Sequence, residues 1–347
     1  MKIKLIFIAC FALTAGAAAA KDFPLCMYGA AAKRDLAVIK EAGFNCFQAY
    51  GQDPAVLAEL AAEAKKLKLK MVAYPDRVME SPYGEKAKSW PILAWYLYDE
   101  PEVRGLPPAE LEKIALKVKT WSPGQRTAFV MGDGAAAMTY GATADALMVD
   151  WYPVPHLPLE SVGRHVSLLK SAAKMLDAKN PDKPVWAVLQ AFDWINQPQR
   201  RAKRVGGFPT FAQIRFMTYL SIVRGADGLF YFTFAQEGKT LDAWPERWFL
   251  FKQIAAEINA LRPMLEKGKA AEPPAGLDAR LAVRAIAKGG GRWLLLLNPT
   301  AGEIPVDAEV LKDWRPLFEA KRRLEELLPG GKNLRLPPYR TLVLEKK

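Results

Sequence analysis

From residue 23 to residue 265, short apolar runs alternate with longer segments whose apolar positions recur every three or four residues. Eight runs stand out, at 23–30, 44–50, 69–74, 93–98, 127–131, 146–151, 185–192 and 228–234. Each is apolar on both faces and is bounded by Gly, Pro, Asp or Asn, the pattern of a buried parallel strand. Between them, Asp53-Pro54 opens a helix with a capping acceptor and a proline at the first helical position. Leu57, Leu60, Ala61, Ala64 and Leu67 continue it at helical spacing. Segments 109–118, 159–176, 211–224 and 244–261 carry the same period, whereas the links at 77–91 and 132–143 predict loops with a single helical turn. Eight strand–helix units over this length predict a (β/α)8 TIM barrel in an α/β chain. A doubly wound open sheet is the alternative, but no Gly-rich phosphate turn follows the first run.

After Pro263 the period is lost. Residues 268–279 are rich in Gly, Pro and Ala, and two largely apolar runs, 281–286 and 293–297, flank Lys288-Gly289-Gly290-Gly291 as in a hairpin. A further strand is expected at 339–344, and 317–328 reads either as a helix or as charged strands. The expected organisation is a barrel over 21–267 and a small antiparallel β-sandwich-like domain over 268–347.

The first twenty residues belong to neither. Lys2 and Lys4 precede an apolar run over 5–13, and Ala18-Ala19-Ala20 supplies a small-residue cleavage site. This predicts a secretory signal peptide over 1–20 and an exported protein, periplasmic or extracellular. No later run approaches the roughly 18 apolar residues of a membrane span. Export permits a disulfide between Cys26 and Cys46, although two buried thiols fit the sequence equally well.

The chain contains 2 His and 3 Cys among 347 residues. A three-histidine zinc site is therefore excluded, as is a Cys-rich zinc module, and no metal or organic cofactor is expected. The net charge of +12 fits an acidic partner or simple solubility. Its densest cluster is Arg200, Arg201, Lys203 and Arg204, either a solvated loop or a contact surface for an anionic glycan. No nucleic-acid-binding motif accompanies it.

Barrels of this type build their sites at the C-terminal ends of the strands. The polar residues there are Tyr28, Gln48, Tyr50, Tyr74, Asp76, Asp99, Glu100, Asp133, Asp150, Tyr152, Gln190, Asp193, Tyr231 and Thr233. The absence of His and Cys from this set argues against Ser–His–Asp and Cys–His catalysis. Carboxylates among aromatic residues suit glycosidic-bond cleavage, with Trp151, Trp194 and the tyrosines as stacking faces for sugar rings. The sharpest local signal is Trp95-Tyr96-Leu97-Tyr98-Asp99-Glu100-Pro101-Glu102, where an aromatic strand ends in two acids and a proline stops it. Burial in such a mouth raises a carboxyl pKa, as a general acid requires.

This segment resembles the fourth strand of clan A glycoside hydrolases, which commonly ends in Asn-Glu-Pro, here Asp-Glu-Pro. The resemblance covers the barrel and implies that Glu100 is the acid/base. The chain departs from the clan on the seventh strand, where the nucleophilic Glu is replaced by Gln190. Asp150 is the nearest substitute. With neighbouring strands ~4.8 Å apart, strands four and six lie within reach of either the retaining or the inverting carboxyl separation. The adjacent Asp99 and Glu100 also resemble those of substrate-assisted β-hexosaminidases, in which the Asp orients the substrate's acetamido group. The expected function is thus an exported glycoside hydrolase acting on a polysaccharide or oligosaccharide. Its catalytic set is Glu100, Asp150 and Asp99, with Tyr28, Gln48, Tyr50, Tyr74, Trp151, Tyr152, Gln190, Trp194 and Tyr231 binding substrate. The alternative, motivated by Gln190, is an inactive carbohydrate-binding barrel.

Overall fold

The computed structural model describes residues 22–176, 183–197, 205–236, 238–319, 324, 328 and 333–346. Eight strands pair in parallel in chain order: β1 (Leu25–Tyr28), β2 (Cys46–Ala49), β3 (Lys70–Ala73), β4 (Ile92–Asp99), β5 (Thr127–Met131), β6 (Ala146–Asp150), β7 (Val185–Gln190) and β8 (Gly228–Phe232). β1 pairs with β8 and closes the barrel. The apolar runs are continuous because both faces of each strand are covered. Cys26, Val72, Tyr96, Val130, Met148, Trp186 and Phe230 point inward and fill the barrel. Their neighbours Met27, Met71, Leu97, Phe129, Leu147, Leu189 and Tyr231 face the helices.

The main helices of the outer layer are Lys33–Glu41, Pro54–Leu67, Pro108–Trp121, Ser161–Leu176, Phe211–Val223 and Pro245–Lys267. Asp53 caps the second of these by accepting from the Ala55 and Val56 amides, as its place before Pro54 predicts. The irregular links hold only single turns, Asp76–Met79 and Gly84–Ala87 in one, Gly134–Ala136 and Ala137–Tyr140 in the other. No helix among the described residues is long and apolar enough to cross a membrane.

Cys26 and Cys46 are register partners on β1 and β2, and they form a disulfide inside the barrel. The bond closes a loop of 20 residues, which restricts the unfolded chain by about 3 kcal/mol in the loop-entropy treatment. Reduction, or the double substitution Cys26→Ala/Cys46→Ala, is expected to lower unfolding free energy by about that amount, read from the denaturant midpoint.

Beyond Lys267 the chain forms a five-stranded antiparallel sheet in the spatial order Lys269–Ala271, Ala282–Lys288, Gly291–Leu297, Thr341–Lys346, Arg315–Pro316. The hairpin turns at Gly289 and Gly290, both at positive φ. Period two again divides the strands. Leu295, Leu297 and Val343 join the barrel's helix layer, whereas Leu294, Leu296, Leu342 and Leu344 pack toward the paired strands Ile304–Asp307 and Asn333–Leu336. The helix Phe211–Val223 therefore lies between barrel and sheet and is buried along most of its length. Most of the ambiguous segment 317–328 lies outside the described residues, as do residues 1–21 and the basic cluster Arg200, Arg201, Lys203 and Arg204.

Candidate active site

β4 carries one extra residue against β5: Tyr96 pairs with Ala128, but Asp99, not Tyr98, pairs with Val130. This bulge reverses the alternation beyond Tyr96. Tyr98 turns toward the helix layer, and Asp99 turns into the barrel mouth. The chain then bends sharply at Glu100, a non-glycine residue at φ +51°. Such a conformation is costly and persists only where its surroundings enforce it. Here the Glu100 amide donates to Val130 O, its carbonyl accepts from the Val103 and Arg104 amides, and Pro101 prevents strand continuation.

Asp99 and Glu100 share a cleft of about 400 Å3 with Asp150 from the end of β6. Asp99 is tied on several sides. Arg104 donates to its backbone carbonyl and to Oδ2, each at 2.6 Å, and the hydroxyls of Tyr96 and Tyr50 donate to Oδ1 at 2.8 and 3.4 Å. Among the described residues Asp150 has no such cation, and its Oδ1 is buried without a hydrogen-bond partner. Burial pushes its pKa well above the ordinary carboxylate range, the nearby charges of Glu100 and Asp99 push it further, and hydrogen bonding from Tyr152 opposes them.

The Glu100 carboxylate lies over Gly132, at the end of β5. A Cβ at residue 132 would stand 2.9 Å from Glu100 Oε1 and 3.2 Å from Val103 Cγ2. Gly132 thus keeps open the space Glu100 occupies. If Glu100 takes part in a reaction in this cleft, Gly132→Ala is expected to leave the melting temperature nearly unchanged while lowering kcat/KM by about 100-fold, the cost of displacing such a group by about 1 Å. Steady-state kinetics beside thermal unfolding tests this.

Aromatic residues form the remaining walls. Tyr50, Trp151, Tyr152, Phe192, Trp194 and Phe232 line the cleft. Tyr152 stacks on Phe232 with centroids 5.6 Å apart. Trp151 is held from behind by His165, stacked at 3.7 Å, and its Nε1 donates to Ser161 Oγ at 2.7 Å. His165 accepts at Nδ1 from the Gly134 amide, and burial lowers its pKa, so it is neutral and serves as a platform for Trp151.

The cleft therefore gathers Asp99, Glu100, Asp150, Tyr50, Trp151, Tyr152 and Trp194 from the sequence-derived set, but it excludes five others. Tyr231 faces outward, hydrogen-bonded to Thr218 and packed on Phe44 and Phe251, because the inward positions of β8 are Phe230 and Phe232. Gln190 is fully buried and bridges to the loop after β6. Its Oε1 accepts from the Val154 amide, and its Nε2 donates to the carbonyls of Val154 and Phe192. Tyr28 and Gln48 are buried in the barrel without lining the cleft. Tyr74 stands behind Tyr50 and Tyr96, with ring centroids 6.3 and 5.0 Å away. Sequence reading missed Gly132, Val103, Leu157, Phe192, Gln197 and Phe232. The two phenylalanines were legible as strand-end aromatics on β7 and β8, but a search limited to polar residues passes over them.

No protein-family model matches the sequence, and no curated protein does. Solved structures do match in fold. One described as a glycoside hydrolase is 16% identical, with a TM-score of 0.59 over 93% of this chain and 92% of its own. Amy13B of Eubacterium rectale is 12% identical, with a TM-score of 0.58 over 94% and 96% of the two chains. A GH30 endoxylanase from Clostridium papyrosolvens C71 is 10% identical, with a TM-score of 0.54 over the same shares. The chain thus has the fold of these glycoside hydrolases, an eight-stranded parallel barrel followed by antiparallel sheets.

Proposed function

We propose that the protein hydrolyses glycosidic bonds in a neutral oligosaccharide or polysaccharide, with Glu100 and Asp150 as the working carboxyl pair. The observation that carries this reading is the aromatic cleft holding both groups, one of them desolvated and without a cation among the described residues. Two interacting carboxyls in such a site share a proton, and burial assigns it to Asp150. Asp150 then protonates the leaving oxygen. Glu100 stays ionised against the positive charge that develops on the sugar, either by direct attack or by activating water. This exchanges the roles expected from the β4 motif alone.

Asp99 acts as a positioning residue. Arg104, Tyr96 and Tyr50 already occupy its oxygens, which argues against its orienting an acetamido group. Gln190 is engaged with Val154, so its amide serves the loop rather than replacing a lost nucleophile. That weakens the motive for an inactive binding barrel. Among the described residues three carboxyl groups line the cleft and Arg104 is committed to Asp99, a balance that favours neutral over anionic sugars. The N-terminal pattern of residues 1–20, together with the Cys26–Cys46 disulfide, supports export.

The test is release of reducing ends from a panel of neutral and acidic glycans by the protein beside Glu100→Gln. Release from at least one neutral glycan, lost in the variant, is the expected outcome. Release from none, or equal release by the variant, defeats the reading.

A further inference from the structure

A second cleft, of about 920 Å3, lies away from the barrel mouth, where the helices Phe211–Val223 and Pro245–Lys267 meet the C-terminal sheet. That is within the range of small-molecule sites. Its floor is Arg215, whose side chain is 8% exposed. Arg215 Nε donates to both oxygens of Glu257, at 2.9 and 3.0 Å, and Nη1 donates to Thr341 O at 2.8 Å and faces Glu319 at 3.4 Å. The third nitrogen, Nη2, is buried with no partner among the described residues.

Three other residues that line the same cleft each carry a buried polar atom with no partner among the described residues: Thr341 Oγ1, Arg340 Nε and Glu319 Oε2. Thr341 is 3% exposed. Buried polar groups are ordinarily paired, because an unmade hydrogen bond forfeits the solvation lost on burial. All four belong to residues that line one cleft. The set is mixed, with nitrogen donors, a carboxylate acceptor, and a hydroxyl capable of either role. Its charges balance, since Arg215 and Arg340 stand against Glu257 and Glu319. An anion would meet the two glutamates, and a cation the two arginines. Phe211, Phe318 and Tyr339 add flat apolar surface. Tyr339 holds φ +55° at the cleft wall, a conformation that costs energy for a tyrosine.

A ligand that is uncharged, donates and accepts at closely spaced points, and presents apolar faces to aromatic rings is a sugar. We infer that this interdomain cleft is a second glycan-binding site, for a neutral oligosaccharide, distinct from the carboxylate cleft. The two are neighbours, since Leu157 lines both, with Trp151 and Tyr152 on one side of the loop after β6 and Pro158 and Leu159 on the other. One polysaccharide chain engaged at both sites would gain effective concentration at the carboxylate cleft. The inference rests on the cleft's own atoms and does not require that the barrel mouth be hydrolytic.

Isothermal titration of the protein with maltohexaose, xylohexaose and cellohexaose, and with hexagalacturonate as the charged counterpart, tests it. Two binding events are expected with at least one neutral hexasaccharide. Thr341→Val, which removes only a buried hydroxyl, weakens one event by about tenfold. Ala256→Trp and Gln253→Trp, each from an exposed position on the helix Pro245–Lys267, abolish that same event by filling the cleft. Tyr50→Ala weakens the other event only. A single event with every neutral probe, a second event indifferent to all three cleft variants, or a preference for hexagalacturonate overturns the inference. Circular dichroism and melting temperature identify any variant that misfolds, and the two tryptophan substitutions serve as alternatives to each other. If no glycan is hydrolysed but the second event is present, the catalytic reading fails and this one stands.

Discussion

Glu100→Gln is expected to lower kcat/KM on a hydrolysable glycan by about 1,000-fold or more, with little change in melting temperature. The substitution keeps the side chain's size and removes its charge. If Glu100 is the ionised partner, that charge stabilises the oxocarbenium-like transition state whatever the leaving group, so activated aryl glycosides and natural glycans lose rate together. If it supplies the proton instead, aryl glycosides with good leaving groups escape most of the loss. The ratio of the two losses therefore assigns the role. A ratio near one supports the division proposed above, and a large one returns the proton to Glu100. Titration with intact oligosaccharide should show binding retained, since the aromatic walls are untouched.

The barrel was legible because its strands are buried on both faces and so appear as uninterrupted apolar runs, each followed by a helical period. β4 was legible as a strand ending in two acids, but not as a bulged strand. Nothing in Tyr96-Leu97-Tyr98-Asp99 marks where the extra residue falls, and the bulge decides that Asp99 rather than Tyr98 turns into the mouth. Tyr231 illustrates the same limit. A strand-end tyrosine is a plausible sugar platform until the register is known, and period two then places it among the helices. Gln190 lies on an inward-facing strand end, yet the loop after β6 folds back to occupy its amide, a contact between segments 36 residues apart. Gly132 is legible only once Glu100 is in place, because its role is to omit an atom. Roles that depend on a single strand's composition survive the passage to three dimensions. Roles that depend on register or on a returning loop do not.

Asp150→Asn should separate function from stability. As the group holding the proton, Asp150 should matter most where the leaving group is poor, with losses of about 100- to 10,000-fold on unactivated glycans and much smaller ones on activated aryl glycosides. The pH profile carries the same assignment. A general acid must be protonated, so its ionisation forms the alkaline limb. With an activated substrate, Asp150→Asn should retain the acidic limb, set by Glu100, and lose the alkaline one. The stability effect follows from linkage. Burial and two neighbouring carboxylates raise the Asp150 pKa in the folded protein above its value in the unfolded chain. Below the unfolded value, near pH 4, both states hold the proton and the folded protein suffers no penalty. As pH rises from there through the folded pKa, the unfolded chain has already released its proton while the folded one must still part with it, and stability falls. Asparagine does not titrate, so the variant escapes this loss. It should melt above the wild type at neutral pH, by about 1–2 °C for a gain near 1 kcal/mol, and converge with it near pH 4. A variant that is less active and equally or less stable at pH 7 would mean that the Asp150 carboxylate is already compensated in the folded protein, and the proton would have to be sought elsewhere in the cleft.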